Sequence, residues 1–262
     1  MLVMGNLLWG CSPPERKDLR QGIDLEKKRQ FVESMVLFDH AILRNPTSRE
    51  AVLAAKEGAK VSFYELKDFK KAAEYNQHIV LASQLAEERM IAQKQLATIY
   101  FDHLADYSRA IAELSKVLNL DLSPADRAAY QMRLAKAYFF QNNFSQAESE
   151  ANQFIRQESK DSAGVFEMYL LKGNVALAKK DMAHATEIFQ ETLKKFPERA
   201  VKENVAMTLA VAYEEMKDYK KAVAVLQEMR PYHPHPDYID LRIRKLNEAQ
   251  KNQPGANGIR RK

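Results

Sequence analysis

Tyr219-Lys220-Lys221-Ala222 is the last of six variations on one pattern. The others are Phe31-Val32-Glu33-Ser34, Phe69-Lys70-Lys71-Ala72, Tyr107-Ser108-Arg109-Ala110, Phe144-Ser145-Gln146-Ala147 and Met182-Ala183-His184-Ala185. In each, a large apolar residue stands three positions before Ala or Ser. The small residues lie 38, 38, 37, 38 and 37 positions apart. A fixed period of this size predicts a solenoid, in which each unit packs mainly on its neighbours. That architecture points to a binding scaffold rather than a catalyst.

Working outward from the sixth beat, Val205 to Met216 carries Leu209, Ala210 and Tyr213 at helical spacing. The turn Lys217-Asp218 follows, then a second helix from Tyr219 to Met229, then Pro234. Leu-Ala-x-x-Tyr recurs as Leu96, Ala97, Tyr100 and as Leu134, Ala135, Tyr138. Gly22 and Gly173 take the same small-residue slot in the first and fifth repeats. The residue before each beat is Gln30, Asp68, Asp106, Asn143, Asp181 or Asp218, and Asp and Asn cap helix starts. The sequence therefore predicts six helix pairs. Small residues let paired helices approach, and aromatic side chains fill the space between repeats. The third repeat carries one extra residue in its turn, within Phe101–Ala105. The second departs from the pattern, with Ala59, Lys60 and Phe63 where Leu, a small residue and Tyr stand elsewhere.

Composition agrees with helix throughout. Only 8 glycines and 9 prolines interrupt 262 residues, so long helices are not broken. No window holds 18 uninterrupted apolar residues, so the sequence offers no spanning helix. The 40 basic and 35 acidic residues give a net charge of +5, a mixed surface rather than a nucleic-acid stripe.

These motifs resemble the tetratricopeptide repeat, whose signature is Leu-Gly/Ala-x-x-Tyr, an Asp-Tyr turn, Ala, a later Ala and a terminal Pro. The sixth repeat carries it in Leu209, Ala210, Tyr213, Asp218, Tyr219, Ala222 and Pro234. The first carries it in Gly22, Phe31, Phe38, Ala41 and Pro46. The resemblance spans about residues 15–236 and implies an all-α, right-handed superhelical solenoid of about six helix pairs. After Pro236, the segment Tyr238–Lys251 reads as the capping helix, with Leu241, Ile243 and Leu246 expected to face the sixth repeat.

The sole cysteine, Cys11, excludes an intrachain disulfide. Its context, Leu8-Trp9-Gly10-Cys11-Ser12, resembles the lipobox of bacterial lipoproteins. In that motif a small residue precedes the cut and the thiol receives diacylglycerol. Ten residues precede Cys11 and none is basic, so residues 1–10 are expected to be the remnant of a signal segment. Residues 11–16 would be the lipidated tether, 17–250 the solenoid and 251–262 a flexible basic tail. Acyl chains contribute about 0.8 kcal/mol per buried methylene, so two or three would hold the chain on a membrane.

In tetratricopeptide arrays the first helix of each pair lines the concave face. The resemblance places Tyr64, Phe101, Met132, Lys136, Phe139, Phe140, Leu170, Asn174 and Met207 on that face. Such an apolar, aromatic groove suits an extended or helical segment of another protein. The carboxylate clamp of chaperone-binding repeats is absent, since Leu19 and Ile23 stand at its places. RNA recognition would require polar pairs on the inner face. The sequence has no phosphate loop, nucleophile elbow or metal-ligand spacing. His233-Pro234-His235-Pro236-Asp237 reads as a proline-broken turn. The expectation is a non-enzymatic scaffold without cofactor, nucleic acid or small-molecule substrate. Its place would be the periplasmic side of a bacterial outer membrane, or the cytoplasm if Cys11 stays free. Six repeats and an apolar groove are similar to type IV pilus secretin pilotins. The lipoprotein of the outer-membrane β-barrel assembly machine is the other likeness.

Overall fold

The computed structural model describes residues 13–157 and 162–253. Cys11, the signal remnant and the tail from residue 254 lie outside the described residues. The chain forms two compact units that divide between Ser123 and Pro124. The first holds α1 (Pro14–Lys27), α2 (Phe31–Arg44), α3 (Arg49–Lys60), α4 (Phe69–Ala82), α5 (Ala86–Thr98) and α6 (Tyr107–Leu118). The second holds α7 (Pro124–Phe140), α8 (Phe144–Gln157), α9 (Ser162–Ala178), α10 (Met182–Lys195), α11 (Pro197–Lys202), α12 (Val205–Glu215), α13 (Tyr219–Met229) and α14 (Pro236–Lys251). Among the described residues there is no strand. The helix expected to follow the tether begins earlier, with Pro14 in its first turn, where a missing N–H costs nothing.

Within each unit, helices pair as hairpins and the second helix of a pair packs on the first of the next. In the first unit α2 packs on α3 and α4 on α5. In the second unit α8 packs on α9, α10 on α12 and α13 on α14. The beat explains why. Ser34, Ala72, Ala110, Ala147, Ala185 and Ala222 are all 0% exposed. Each opens its helix toward the partner, and any larger side chain would push the backbones apart. Ser34 satisfies its buried hydroxyl by donating to the Phe31 carbonyl at 2.7 Å.

Every hairpin turns in the same way. Arg29, Lys67, Ala105, Asn142, Lys180 and Lys217 each hold a left-handed conformation, with φ between 49° and 61°. None is glycine, so each costs about 1–2 kcal/mol in backbone strain. Hydrogen bonds offset that cost. The N–H groups of Gln30, Asn143, Asp181 and Asp218 donate to carbonyls five residues back, each at 2.9 Å. The expected caps are in place at four turns. Asp68, Asp106, Asp181 and Asp218 accept from the N–H three residues on, at 3.0–3.2 Å. Asn143 does so at 3.5 Å, and Gln30 makes no such bond.

The extra residue of the third repeat lies inside the helix rather than in the turn. Residues Ile99–His103 form a π-helical turn closed by Leu104 N–H to the Ile99 carbonyl at 3.0 Å. The second repeat has the same insertion at Val61–Glu65, which the sequence did not reveal. In both, the bond that closes the hairpin spans six residues, from Asp68 to Ser62 and from Asp106 to Tyr100. The added residue is thus absorbed as one widened turn, and the beat keeps its register. Gly58 now meets the Tyr75 ring, so that ring fills the second repeat's core in place of an aromatic one position later.

The cap departs from expectation in one detail. In α14, Ile239 and Leu246 are buried and Ile243 is half-buried, whereas Leu241 is 42% exposed. Arg230 anchors this helix with a fork onto Asp240 at 2.6 and 2.7 Å.

Two predictions follow from this packing. A Cβ on Gly173 would lie 2.4 Å from Phe189, whose ring is fully buried. Gly173→Ala in a helix ordinarily gains about 1 kcal/mol. Here it should instead destabilise by roughly 1–3 kcal/mol in urea unfolding, as overpacking does. The second concerns Glu88, whose carboxylate receives both Arg49 guanidinium nitrogens at 2.6 and 2.9 Å, Lys56 at 2.9 Å and the Ser83 hydroxyl at 2.6 Å. The Arg49 fork is the main cause that holds its carboxyl down at about 2. A depressed carboxylate stabilises the fold above its unfolded value of about 4.3 and loses that contribution as pH falls through about 2. Glu88→Gln should therefore lose roughly 1.5–3 kcal/mol at pH 7, the range for hydrogen bonds to a charged group. Its deficit against the parent should shrink steadily between pH 5 and pH 2, read by urea titration at each pH.

Candidate functional site

The residues expected on the concave face divide between the two units. Tyr64 and Phe101 belong to the first. Met132, Lys136, Phe139, Phe140, Leu170, Asn174 and Met207 belong to the second.

In the first unit, Tyr64 lies in one π-helical turn and Phe101 in the other. Tyr64 is 60% exposed and meets Phe63 edge-on, with centroids 4.9 Å apart. Phe63 in turn sits edge-on to Phe69 at 5.4 Å and to His103 at 4.9 Å, and His103 stacks on Phe69 at 4.2 Å. His103 thus joins the second repeat to the third through an aromatic cluster. Phe101 meets Tyr107, the large residue of its own beat, at 5.9 Å. Its half-buried ring is therefore part of the hairpin's closure.

The second unit gathers the rest. Met132, Lys136, Phe139 and Phe140 form a stripe on α7 at i, i+4, i+7 and i+8. Leu170, Asn174 and Leu177 form one on α9, and Met207 and Val211 one on α12. Met132, Phe139, Leu170, Leu177 and Met207 are half-buried and rest on the unit's core with one side. Asn174 and Val211 are exposed. Phe139 meets Phe144 at 5.9 Å, the same contact between helix end and beat that Phe101 makes with Tyr107. Phe140 meets Phe139 edge-on at 5.7 Å and is 49% exposed. The pair thus has two roles. Phe139 closes the hairpin and Phe140 presents a ring to solvent.

Charge on this face is arranged around Glu167, which the sequence reading missed. Glu167 accepts from Lys136 at 2.6 Å across α7 and α9, and Arg199 of α11 stands 3.5 Å away. Arg199 also covers the Phe166 ring at 4.6 Å and donates to the Ala163 carbonyl at 3.0 Å. Glu167 lies one turn before Leu170 on the same stripe of α9, so its position was readable from spacing. Its partners come from helices distant in sequence and were not. At the other end of the stripe, Glu214 of α12 accepts from Arg242 of the capping helix at 2.6 Å. Lys136, Glu167, Arg199 and Glu214 are thus paired within the protein, while Phe140, Asn174 and Val211 stay exposed.

Among the described residues, no three His, Cys, Asp or Glu side chains gather where they could hold a metal ion. In the sequence pair His233 and His235, the His233 Nδ1 accepts from the His235 backbone N–H at 3.0 Å, as in a tight turn. No described helix is long and apolar enough to cross a membrane.

Comparison with known proteins supports this architecture. Residues 176–243 match the tetratricopeptide repeat family model. No curated protein matches the chain. Among solved structures, a chain of the Naa15/Naa10 complex bound to HypK-THB superposes with a TM-score of 0.70 at 16% identity. The match covers 90% of the present chain and 34% of that one, so this chain spans about a third of that relative's length. YrrB, a TPR protein with an unusual peptide-binding site, gives a TM-score of 0.47 at 13% identity, covering 69% of this chain and 85% of its own. PilW, a widely conserved type IV pilus biogenesis factor, gives 0.47 at 13% identity, covering 87% and 99%. Residues 176–243 thus match the tetratricopeptide repeat family, and the chain's helix pairs share their fold with that chain of the Naa15/Naa10 complex.

Proposed function

We propose that this chain is a non-enzymatic docking scaffold whose second unit holds a partner segment on the stripes of α7, α9 and α12. The observation that carries the reading is the pairing of half-buried Met132, Leu170 and Met207 with the exposed ring of Phe140. Large apolar groups kept partly exposed on one face, with neighbouring charges already neutralised, fit a protein or peptide surface better than a polar small molecule. Tyr64 and Phe101 would contribute a separate aromatic surface on the first unit, with Tyr64 its exposed member.

The scaffold is further proposed to be a bacterial lipoprotein, anchored through Cys11 on the periplasmic face of the outer membrane. The support is the lipobox-like context of the sole cysteine. A pilotin-like role, helping an envelope complex assemble, rests on that context and on the six repeats by analogy.

Phe140→Glu with Val211→Glu should abolish capture of the partner segment from an envelope extract, because both side chains are exposed and neither closes a hairpin. Far-UV circular dichroism should stay at parental level. Phe139→Glu should instead lower thermal stability through loss of the Phe144 contact. Retained capture by the double variant sinks the docking face. For the anchor, Cys11→Ala or globomycin treatment should move the protein from the membrane pellet to the soluble fraction. An unchanged distribution would favour a cytoplasmic adaptor instead.

A further inference from the structure

A second concavity lies on the other helices of the second unit. The first helix of the sixth repeat is not continuous. It breaks after α11, where Asn204 takes a left-handed conformation with φ 54°, and resumes as α12. Beside the break is a cleft of about 590 Å³ between α10 and α13, lined also by Pro197 and Val201 of α11. Leu209 and Ala206 of α12 form its floor, and Leu193 and Val225 its walls. At one end the Tyr213 hydroxyl accepts from the Gln190 amide at 2.7 Å, beneath Lys221 at 5.5 Å from the ring.

Charge identifies the occupant. Lys221 is already neutralised by Asp218 at 2.9 Å. Lys194 on the α10 wall and Glu228 on the α13 wall face the same cleft, and neither forms an ion pair among the described residues. Their neighbours do, as in Lys195 with Glu191 at 2.9 Å and Arg230 with Asp240 at 2.6 Å. An acyl chain or a simple anion would answer only Lys194. An amphipathic helix answers both, with an apolar stripe in the cleft, an acidic flank beside α10 and a basic flank beside α13. We infer that the α10–α13 cleft is a second docking site, separate from the stripes of α7, α9 and α12, and that it takes an amphipathic helix of a partner protein with this charge polarity. The cleft lies beside the break at Asn204, and the two charges set which way round the helix lies.

The test is selection from a displayed library of helical peptides with a fixed Leu stripe at i, i+3, i+4 and i+7 and randomised flanks. The parent protein is the target. Ala224→Trp, which fills the cleft from an exposed position, is the counter-target. Enriched peptides should carry Asp or Glu on one flank and Lys or Arg on the other. They should bind at least tenfold more weakly to Ala224→Trp, by fluorescence anisotropy. Against Lys194→Glu/Glu228→Lys, whose circular dichroism should match the parent, the selected polarity should reverse. Phe140→Glu should leave binding unchanged, which separates this site from the docking face proposed above. The inference is overturned by no enrichment over the counter-target, by flanks of no fixed polarity, or by equal binding to the charge-swapped variant. It is also overturned if the cleft is filled by a second copy, seen as parental self-association in sedimentation that Ala224→Trp abolishes.

Discussion

Close approach of paired helices at the beat is the contact on which the fold depends. Six Ala or Ser side chains are completely sealed between neighbouring helices. Their worth lies in what they permit more than in their own burial. With no bulk at that position, rings such as Phe38 and Phe189 reach glycines of the preceding helix, at Gly22 and Gly173. Interdigitation of this kind leaves few voids and tolerates few changes of volume. A beat residue therefore has no freedom to contact a ligand. Specificity in such a scaffold has to come from side chains outside the contact layer.

The hairpin turns show how firmly that layer is defended. Each turn holds a non-glycine residue in left-handed backbone, against a steric penalty, and each is tied by a long backbone bond. When repeats two and three gained a residue, the helix widened into a π turn rather than let the beat slip. A one-residue slip would rotate the next helix by about 100° and turn its apolar stripe away from its partner. The insertion was displaced into the first helix, where it carried Tyr64 and Phe101 with it. π turns often sit where function has been added to a helix. Here they gather Phe63, Phe69 and His103 into one aromatic cluster beside the exposed Tyr64 ring.

The fold was legible because its determinants are local and periodic. Asp68, Asp106, Asp181 and Asp218 announce their helices through caps that need only three residues, and the beat repeats at fixed spacing. What escaped the sequence depends on neighbours far along the chain. The insertion at Val61–Glu65 was hidden because counting back from the beat sets Lys60 at the small-residue slot, and only the widened turn moves that slot to Ala59. Ile239 rather than Leu241 faces the sixth repeat, because Pro236 starts α14 two residues before the expected Tyr238 and fixes its rotation. The candidate face was half legible. The resemblance placed Met132, Phe139, Phe140, Leu170 and Met207 on the first helices of their pairs. It could not tell that Phe139 leans on Phe144 while Phe140 stays exposed, nor that Glu167 is shared by Lys136 and Arg199.

The treatment of charge separates the two concave surfaces of the second unit. On the stripes of α7, α9 and α12, Lys136, Arg199 and Arg242 all find carboxylates within the chain. A partner there gains mainly from apolar contact, and its affinity should depend weakly on salt. In the α10–α13 cleft, Lys194 and Glu228 stand on opposite walls without ion-pair partners among the described residues. A partner there meets two fixed charges of opposite sign, which reward one orientation and penalise its reverse. On the proposed reading, one unit of the same repeat fold would offer two modes of recognition. The difference lies in which long side chains the helix packing has already satisfied.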